Sequence, residues 1–181
     1  MNLQLRAATL ADIPAIQQLY ALEVREGVAT YEYEVPDEAE MARRMRELTA
    51  NGFPYFVAEL DGVFAGYAYA SSYRTRIGYR WTVEDAVYVA PAAQGKGVGR
   101  ALLTRLTADC EALGFRQMVA VIGELGNGAS VALHEKLGFT TIGIFPGLGR
   151  KHGRWLDTVQ MQCALGARDR DPPADEAPCS L

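Results

Sequence analysis

The sequence predicts an α/β fold in which helices cover both faces of one mixed sheet. Strand-like and helix-like segments alternate along most of the chain, as in layered α/β architectures. Asp61-Gly62 between two apolar runs predicts an antiparallel hairpin, because this dipeptide readily adopts the positive φ angles of a type I′ turn. A strand, a helix and another strand over residues 82–123 predict a parallel connection.

The chain opens with a strand followed by a helix. Residues 3–9 alternate apolar and polar side chains, like a half-buried strand. Thr9 and Asp12 resemble a helix cap, and the apolar side chains of residues 10–24 recur with helical spacing. The side chains that share one helical face are Ile13, Ile16, Leu19, Tyr20 and Val24.

A second helix and the hairpin come next. After an irregular stretch at residues 25–36, Asp37 begins a helix that glycine stops at residue 52. We expect its arginines to be solvated, namely Arg43, Arg44 and Arg46. The hairpin strands are residues 55–60 and 63–73.

The second half begins with the parallel unit. Residues 82–89 read as a strand, 99–114 as a helix ended by glycine, and 116–123 as an apolar strand of the kind buried on both faces. Three further elements are a short helix at 127–138 and strands at 139–145 and 154–165.

Length and composition predict one domain, residues 1–165, with a disordered Pro-rich and charged tail at 166–181. A net charge of -4 gives no electrostatic preference for nucleic acid or an anionic membrane, so we expect a small partner. The cysteines lack metal spacing and are odd in number, which favours reduced thiols and no metal; they are Cys110, Cys163 and Cys179. With no signal peptide or long apolar run, we expect a cytoplasmic location.

The stretch "QGKGVG", residues 94–99, predicts an anion site at a helix start. It follows an apolar strand and Pro91 and directly precedes a helix, whose first N–H groups lack intrahelical acceptors. The spacing does not match the nucleotide P-loop, because no Ser or Thr follows Lys96. It also departs from the G-x-G-x-x-G dinucleotide fingerprint. We therefore expect a phosphate ligand here. The alternative is that the glycines serve only a tight turn and close packing.

These residues resemble the GCN5-related N-acetyltransferases. "QGKGVG" matches that family's Q/R-x-x-G-x-G/A signature, and "VYV", "GNGAS" and "SVALHEKLGF" match flanking stretches over residues 84–139. The resemblance implies a mostly antiparallel central sheet splayed at two parallel strands, with acetyl-CoA as co-substrate. Within the family, "WTVEDAVYV", "AVIG" and "KHGRWLD" look most like the phosphinothricin and methionine sulfoximine acetyltransferases.

The resemblance also implies which residues hold acetyl-CoA. The glycine loop and the helix after it would hold the pyrophosphate, and the backbone of "VYV" would pair with the pantetheine arm and polarise the thioester carbonyl, with Val89 or a neighbour donating. The implied cofactor residues are Val87, Tyr88, Val89, Gln94, Gly95, Lys96, Gly97, Val98, Gly99, Arg100, Asn127 and Ser130.

Acetyl transfer to an amine requires a base, because a free amino acid is mostly ammonium at neutral pH. The period of two in "TVEDAVYV" puts Glu84 and Asp85 on opposite faces. Glu84 matches the position proposed as general base in the phosphinothricin group; a solvated strand-end charge is the alternative. His134 stands where the family often has the tyrosine that protonates the leaving thiolate, and helix packing or a hydrogen bond to the cofactor is its alternative.

The acceptor site is implied by the same relatives. A carboxylate on the acceptor favours an arginine fork, and Arg74 with Tyr73 matches an aromatic-basic pair there. Tyr31 matches the acceptor-side loop, and Asp85 beside Glu84 completes the expected contacts. Residues 151–157 match a late hairpin that meets the partner subunit in related enzymes, so a homodimer is implied. The open alternatives are an acetyltransferase for polyamines, aminoglycosides or protein N-termini, and a non-catalytic acyl-CoA sensor.

Overall fold

The computed structural model describes residues 1–123 and 128–173. The strands are β1 Leu3–Ala7, β2 Tyr55–Leu60, β3 Val63–Ser72, β4 Thr82–Val89, β5 Gln117–Gly123, β6 Thr140–Lys151 and β7 Arg154–Ala164. They form one sheet in the order β1-β2-β3-β4-β5-β7-β6, in which all neighbouring strands are antiparallel except β4 and β5. The helices are α1 Ile13–Arg25, α2 Glu38–Ala50, α3 Val98–Ala112 and α4 Gly128–Lys136. The mixed fold that the sequence predicted is confirmed.

The parallel strands β4 and β5 pair only where they begin. Their ladder joins Thr82–Glu84 to Gln117–Val119 and extends no further within the described residues. On its other side, β4 stays paired with β3 as far as Val89. The two parallel strands therefore separate after Glu84, and the β5-facing edge of residues 85–89 is left outside any ladder in the described part of the chain.

Two apolar cores hold the helices on opposite faces of the sheet. In β2, Tyr55 and Val57 pack under α1 and α2, whereas Phe56 and Ala58 pack under α3. This alternation follows from the period of two along a strand. The predicted apolar face of α1 is buried at every position, at Ile13, Ile16, Leu19, Tyr20 and Val24.

The two hairpins differ in how well the sequence predicted them. Asp61 and Gly62 adopt φ angles of 52° and 79°, which confirms the type I′ turn between β2 and β3. The strand expected to end at Phe145 instead continues to Lys151. Pro146 is accommodated because it lies in an irregularity of the β6–β7 ladder on an edge strand, where its missing N–H removes no ladder bond.

The predicted tail is described only as far as residue 173, so its disorder stays a prediction. Among the described helices, none combines the length and the apolar character needed to cross a bilayer.

Candidate active site

The separation of β4 from β5 opens a cleft of about 290 Å³. Its walls come from the α1–α2 loop (residues 26–37), β3, β4, β5 and α4, and Glu84 lies among the lining residues. Cross-strand pairing places Ser71 opposite Glu84 and Tyr69 opposite Ala86. Side chains directly opposite each other in a ladder share one face, so these four face α1 and α2.

The glycine loop lies between β4 and α3. Gly95 and Gly97 have φ angles of 71° and 83°, in the left-handed region that favours glycine, and a Cβ on either would meet no atom within 4 Å. A Cβ on Gly99 would instead lie 3.3 Å from side-chain carbons of Leu133 and Val89. The first two glycines thus keep open the space at the helix start, and the third allows β4, α3 and α4 to pack closely.

This helix start suits an anion. The first N–H groups of α3 have no intrahelical acceptor and carry the positive end of the helix dipole. Gln94, Lys96 and Arg100 are exposed around it, so their side chains are available to a ligand, whereas Val98 is buried and holds the helix to the core. The open space over Gly95 and Gly97 therefore fits a phosphate group that takes backbone hydrogen bonds.

The free edge of β4 offers backbone rather than side-chain contacts. Val87 and Val89 pack toward α3, while Tyr88 is buried on the other face, stacked on Tyr67 with ring centroids 4.8 Å apart. Their N–H and C=O groups on the β5 side have no ladder partners in the described chain. An extended ligand with amide groups would complete this edge as an added strand.

Glu84 lies where the two parallel strands part. Its side chain is partly exposed, and no described residue forms a hydrogen bond or ion pair with its carboxylate. Burial, followed by the nearby carboxylate of Asp85, raises the pKa of Glu84 above its ordinary value. A partly desolvated carboxylate without a partner has the properties of a general base.

Asp85 and His134 form a buried pair on the opposite face of β4. Their side chains are 3% and 4% exposed, and His134 Nε2 lies 3.1 Å from Asp85 Oδ2. His134 Nδ1–H donates to the carbonyl of Ser130 at 2.7 Å. Burial lowers the pKa of His134, but the hydrogen bond and charge of Asp85 outweigh it, so the net shift is upward. Both ring nitrogens are therefore engaged, Nδ1 by a backbone carbonyl and Nε2 by the carboxylate of Asp85.

This pairing bears on the role predicted for Asp85. Asp85, predicted to contact the acceptor, lines the cleft but pairs with His134 of α4, on the face opposite to the one that Glu84 shares with Ser71 and Tyr69, and its contact with the acceptor stays a prediction. Its other carboxylate oxygen is buried without a partner in the described residues. Ser130 and His134 both line the cleft, and their roles, as a cofactor contact and as a catalytic acid, stay predictions. Asn127 lies outside the described residues.

The predicted acceptor residues are divided between two places. Tyr31 lines the cleft and its hydroxyl lies 3.0 Å from Thr158 Oγ1. Arg74 lies on the exposed turn after β3, with its guanidinium 5.2 Å from the ring of Tyr73 and 5.6 Å from that of Tyr79. The structure therefore brings Tyr31 to Glu84 but leaves Tyr73 and Arg74 together outside the lining of the cleft, and their acceptor role stays a prediction.

The sequence did not indicate a second cavity of about 410 Å³, which shares Tyr20, Tyr69 and Ser71 with the cleft. Arg44, expected to be solvated, lines this cavity and is only 36% exposed. Its Nη1 donates to Glu32 Oε1 at 2.7 Å, so it ties α2 to the α1–α2 loop. In the sequence, Tyr67, Tyr69 and Ser71 alternate along β3, which indicates that they share one face of the strand. Only the register of β3 against β4 shows that this is also the face of Glu84.

Comparison with known proteins agrees with this geometry. The acetyltransferase (GNAT) family model matches residues 14–139. A phosphinothricin N-acetyltransferase of Alcaligenes faecalis is 49% identical over 162 residues, which cover 90% of this chain and 82% of the relative. An L-methionine sulfoximine/L-methionine sulfone acetyltransferase of Salmonella typhimurium is 41% identical over 161 residues, which cover 89% of this chain and 94% of the relative. The crystal structure of a GNAT superfamily phosphinothricin acetyltransferase from Sinorhizobium meliloti in complex with acetyl-CoA has a TM-score of 0.94 and 49% identity, covering 100% of this chain and 98% of that chain.

Proposed function

The chain belongs to the acetyltransferase (GNAT) family, and we propose that it moves the acetyl group of acetyl-CoA to the α-amine of a small amino-acid-like acceptor. The relatives' names give the acceptor class: phosphinothricin, methionine sulfoximine and methionine sulfone. Transfer is direct, within a complex of the enzyme and both substrates. The observation that carries the proposal is Glu84, a partly buried carboxylate that has no hydrogen-bond or ion-pair partner among the described residues and lies where β4 leaves β5.

Acetyl-CoA fits the splayed edge and the glycine loop. It supplies an acetyl group activated as a thioester. The free edge of β4 at Val87–Val89 would pair with its pantetheine arm, and one of these N–H groups would polarise the thioester carbonyl. Residues Gln94–Arg100 would hold the pyrophosphate at the helix start, where no Cβ projects from Gly95 or Gly97. By resemblance, Asn127 and Ser130 complete the set.

Glu84 acts as the general base. It accepts a proton from the acceptor's ammonium group, directly or through a water, and so frees the nitrogen lone pair for attack. Its raised pKa supports this role, because a carboxylate of ordinary pKa is a weaker base near neutral pH. Its position on the face shared with Tyr69 and Ser71 puts the acceptor on the α1–α2 side of β4.

We assign to His134 the proton for the departing thiolate. Its Nε2 carries a proton within the pair with Asp85, whose charge raises the pKa of the imidazole. The hydrogen bond from Nδ1 to Ser130 fixes the ring, so donation would have to occur from Nε2. The role of Asp85 in this account is to hold that proton, rather than to contact the acceptor.

On the acceptor side, Tyr31 forms the wall of the cleft, and the resemblance assigns the carboxylate of the acceptor to Arg74 with Tyr73. We further propose a cytoplasmic homodimer. Exposed apolar side chains on the edge strand β6 and at the start of β7 support a partner there, namely Ile142, Ile144, Phe145, Leu148 and Trp155. Light scattering should give twice the mass of one chain; a monomer at micromolar concentration would overturn this.

Release of free thiol from acetyl-CoA tests the function directly. Adding phosphinothricin or methionine sulfoximine should start release, and polyamines, aminoglycosides and peptide N-termini should give slower release or none. Preferential release with one of those amines would replace the acceptor class. Tight acetyl-CoA binding without release across the whole panel would favour a sensor.

A further inference from the structure

Lys151, the last residue of β6, is a buried lysine beneath the α1–α2 loop. Its side chain is 2% exposed, which is rare for lysine because removing an ammonium from water is costly. Nζ donates to the carbonyl of Glu23 at 2.9 Å and to the carbonyl of Thr30 at 2.7 Å. Within the described residues it forms no ion pair. The ammonium therefore joins β6 to the end of α1 and to the loop through backbone carbonyls.

Two glycines let the same loop lie close against the sheet. A Cβ on Gly123 would lie 2.3 Å from the carbonyl oxygen of Val28. A Cβ on Gly149 would lie 2.4 Å from Cζ of Tyr31, so the tyrosine ring rests directly on the β6 backbone. The α1–α2 loop is therefore held against β5 by the contact at Gly123, and against β6 by the contact at Gly149 and the two hydrogen bonds of Lys151.

The part of the loop that is fixed in this way forms the wall of the acceptor side. Val28, Thr30 and Tyr31 line the cleft that contains Glu84. Thr30 Oγ1 lies 2.9 Å from the hydroxyl of Tyr20, which is shared by both cavities. A shift of Thr30 would therefore move the wall and loosen the contact with Tyr20.

We propose that Lys151 is a positioning residue for the acceptor: its ammonium holds Thr30 and Tyr31 at the distance from Glu84 that a small amino-acid-like acceptor requires. This inference rests on the proposed function. None of the residues Gly95–Gly99 lines the cleft that the α1–α2 loop walls, so we expect the effect to fall on the acceptor and not on the part of the site that holds the pyrophosphate.

The experiment compares Lys151→Met and Gly149→Ala with the matched control Gly143→Ala, whose Cβ would meet no atom within 4 Å on the same strand. Lys151→Met removes the donor, and Gly149→Ala displaces Tyr31 without touching a buried charge. Both variants should raise the KM for phosphinothricin about 10-fold or more, because each shifts groups that orient the acceptor. The value of kcat at saturating acceptor should stay within about threefold, and the Kd for acetyl-CoA should not change. Gly143→Ala should match the wild type.

Hydrogen exchange of residues 26–33 provides a readout that does not need activity. It should speed up in Lys151→Met and Gly149→Ala but not in the control, even if the wild type proves inactive and the proposed function fails. Should Lys151→Met not fold, Gly149→Ala alone decides. Three results would each overturn the proposal. The first is unchanged exchange in both variants, and the second is faster exchange with an unchanged KM for the acceptor in an active enzyme. The third is an affinity for acetyl-CoA that falls as much as the affinity for the acceptor.

Discussion

Replacing Gly97 by alanine separates conformational strain from ligand binding at the start of α3. The φ angle of Gly97 is 83°, a region that costs an L-residue about 1–2 kcal/mol, and its missing Cβ faces open space. Alanine also reduces the freedom of the unfolded chain, which offsets part of that cost. We therefore expect a loss of about 1 kcal/mol, or a Tm lower by about 2–4 °C.

Acetyl-CoA binding should suffer much more than stability. A methyl group over the helix start would hold the pyrophosphate away from the backbone N–H groups, and a hydrogen bond to a charged group contributes about 1.5–3 kcal/mol. The Kd for acetyl-CoA should therefore rise about 10- to 100-fold, measured by isothermal titration calorimetry.

Gly114 offers a matched control at the other end of α3. Its φ angle is 89° and its Cβ would also meet nothing within 4 Å. Gly114→Ala should cost the same stability and leave the Kd for acetyl-CoA unchanged. If the two variants bind acetyl-CoA equally well, the glycine loop serves only the turn, and the account of the cofactor site is wrong.

Three further predictions concern charge. The kcat/KM of the wild type should fall with decreasing pH at a midpoint above the ordinary glutamate pKa, because burial raises the pKa of Glu84; a midpoint at or below that value would contradict the assignment. His134→Leu should lower stability by about 3 kcal/mol at pH 6, since it removes the group that pairs with the buried carboxylate of Asp85. The loss should be smaller at pH 9, because an imidazole with a raised pKa stabilises the fold only at pH values below that pKa; urea unfolding at both pH values tests this. Asp12→Asn should cost about 1–2 kcal/mol at pH 7, since Arg6 lowers the pKa of Asp12 from 3.8 to about 2 but is partly exposed, and the difference from the wild type should shrink as pH falls through that range; an equal loss at pH 2 and pH 7 would refute it.

Much of the fold could be predicted because its signals are local. The helical face from Ile13 to Val24 and the Asp61-Gly62 turn depend on spacing and on single-residue φ preferences, and both agree with the structure. The continuation of β6 past Pro146 could not be predicted, because proline is compatible with a strand only at an edge or an irregularity, and neither is visible before the sheet is assembled.

The candidate site, like the fold, could be predicted only where its signals are local. The glycine loop and Glu84 are recognisable within one segment, whereas the α1–α2 wall depends on contacts between distant residues. Arg44 and Lys151 look like solvated cations in the sequence, since lysine and arginine usually are. Only the packing of the loop against α2 and β6 shows them to be half-buried and buried. Arg74 shows the converse, a residue selected by resemblance that lies on an exposed turn.

In the proposed mechanism, Glu84 removes the proton from the acceptor's amine. Glu84→Gln keeps the shape of the side chain and abolishes the base, so single-turnover and steady-state thiol release with phosphinothricin test it directly. We predict that kcat falls about 10²-fold or more while the Kd for acetyl-CoA and the Tm stay close to those of the wild type. A kcat within about twofold of the wild type at neutral pH would contradict the account and assign the proton to another group.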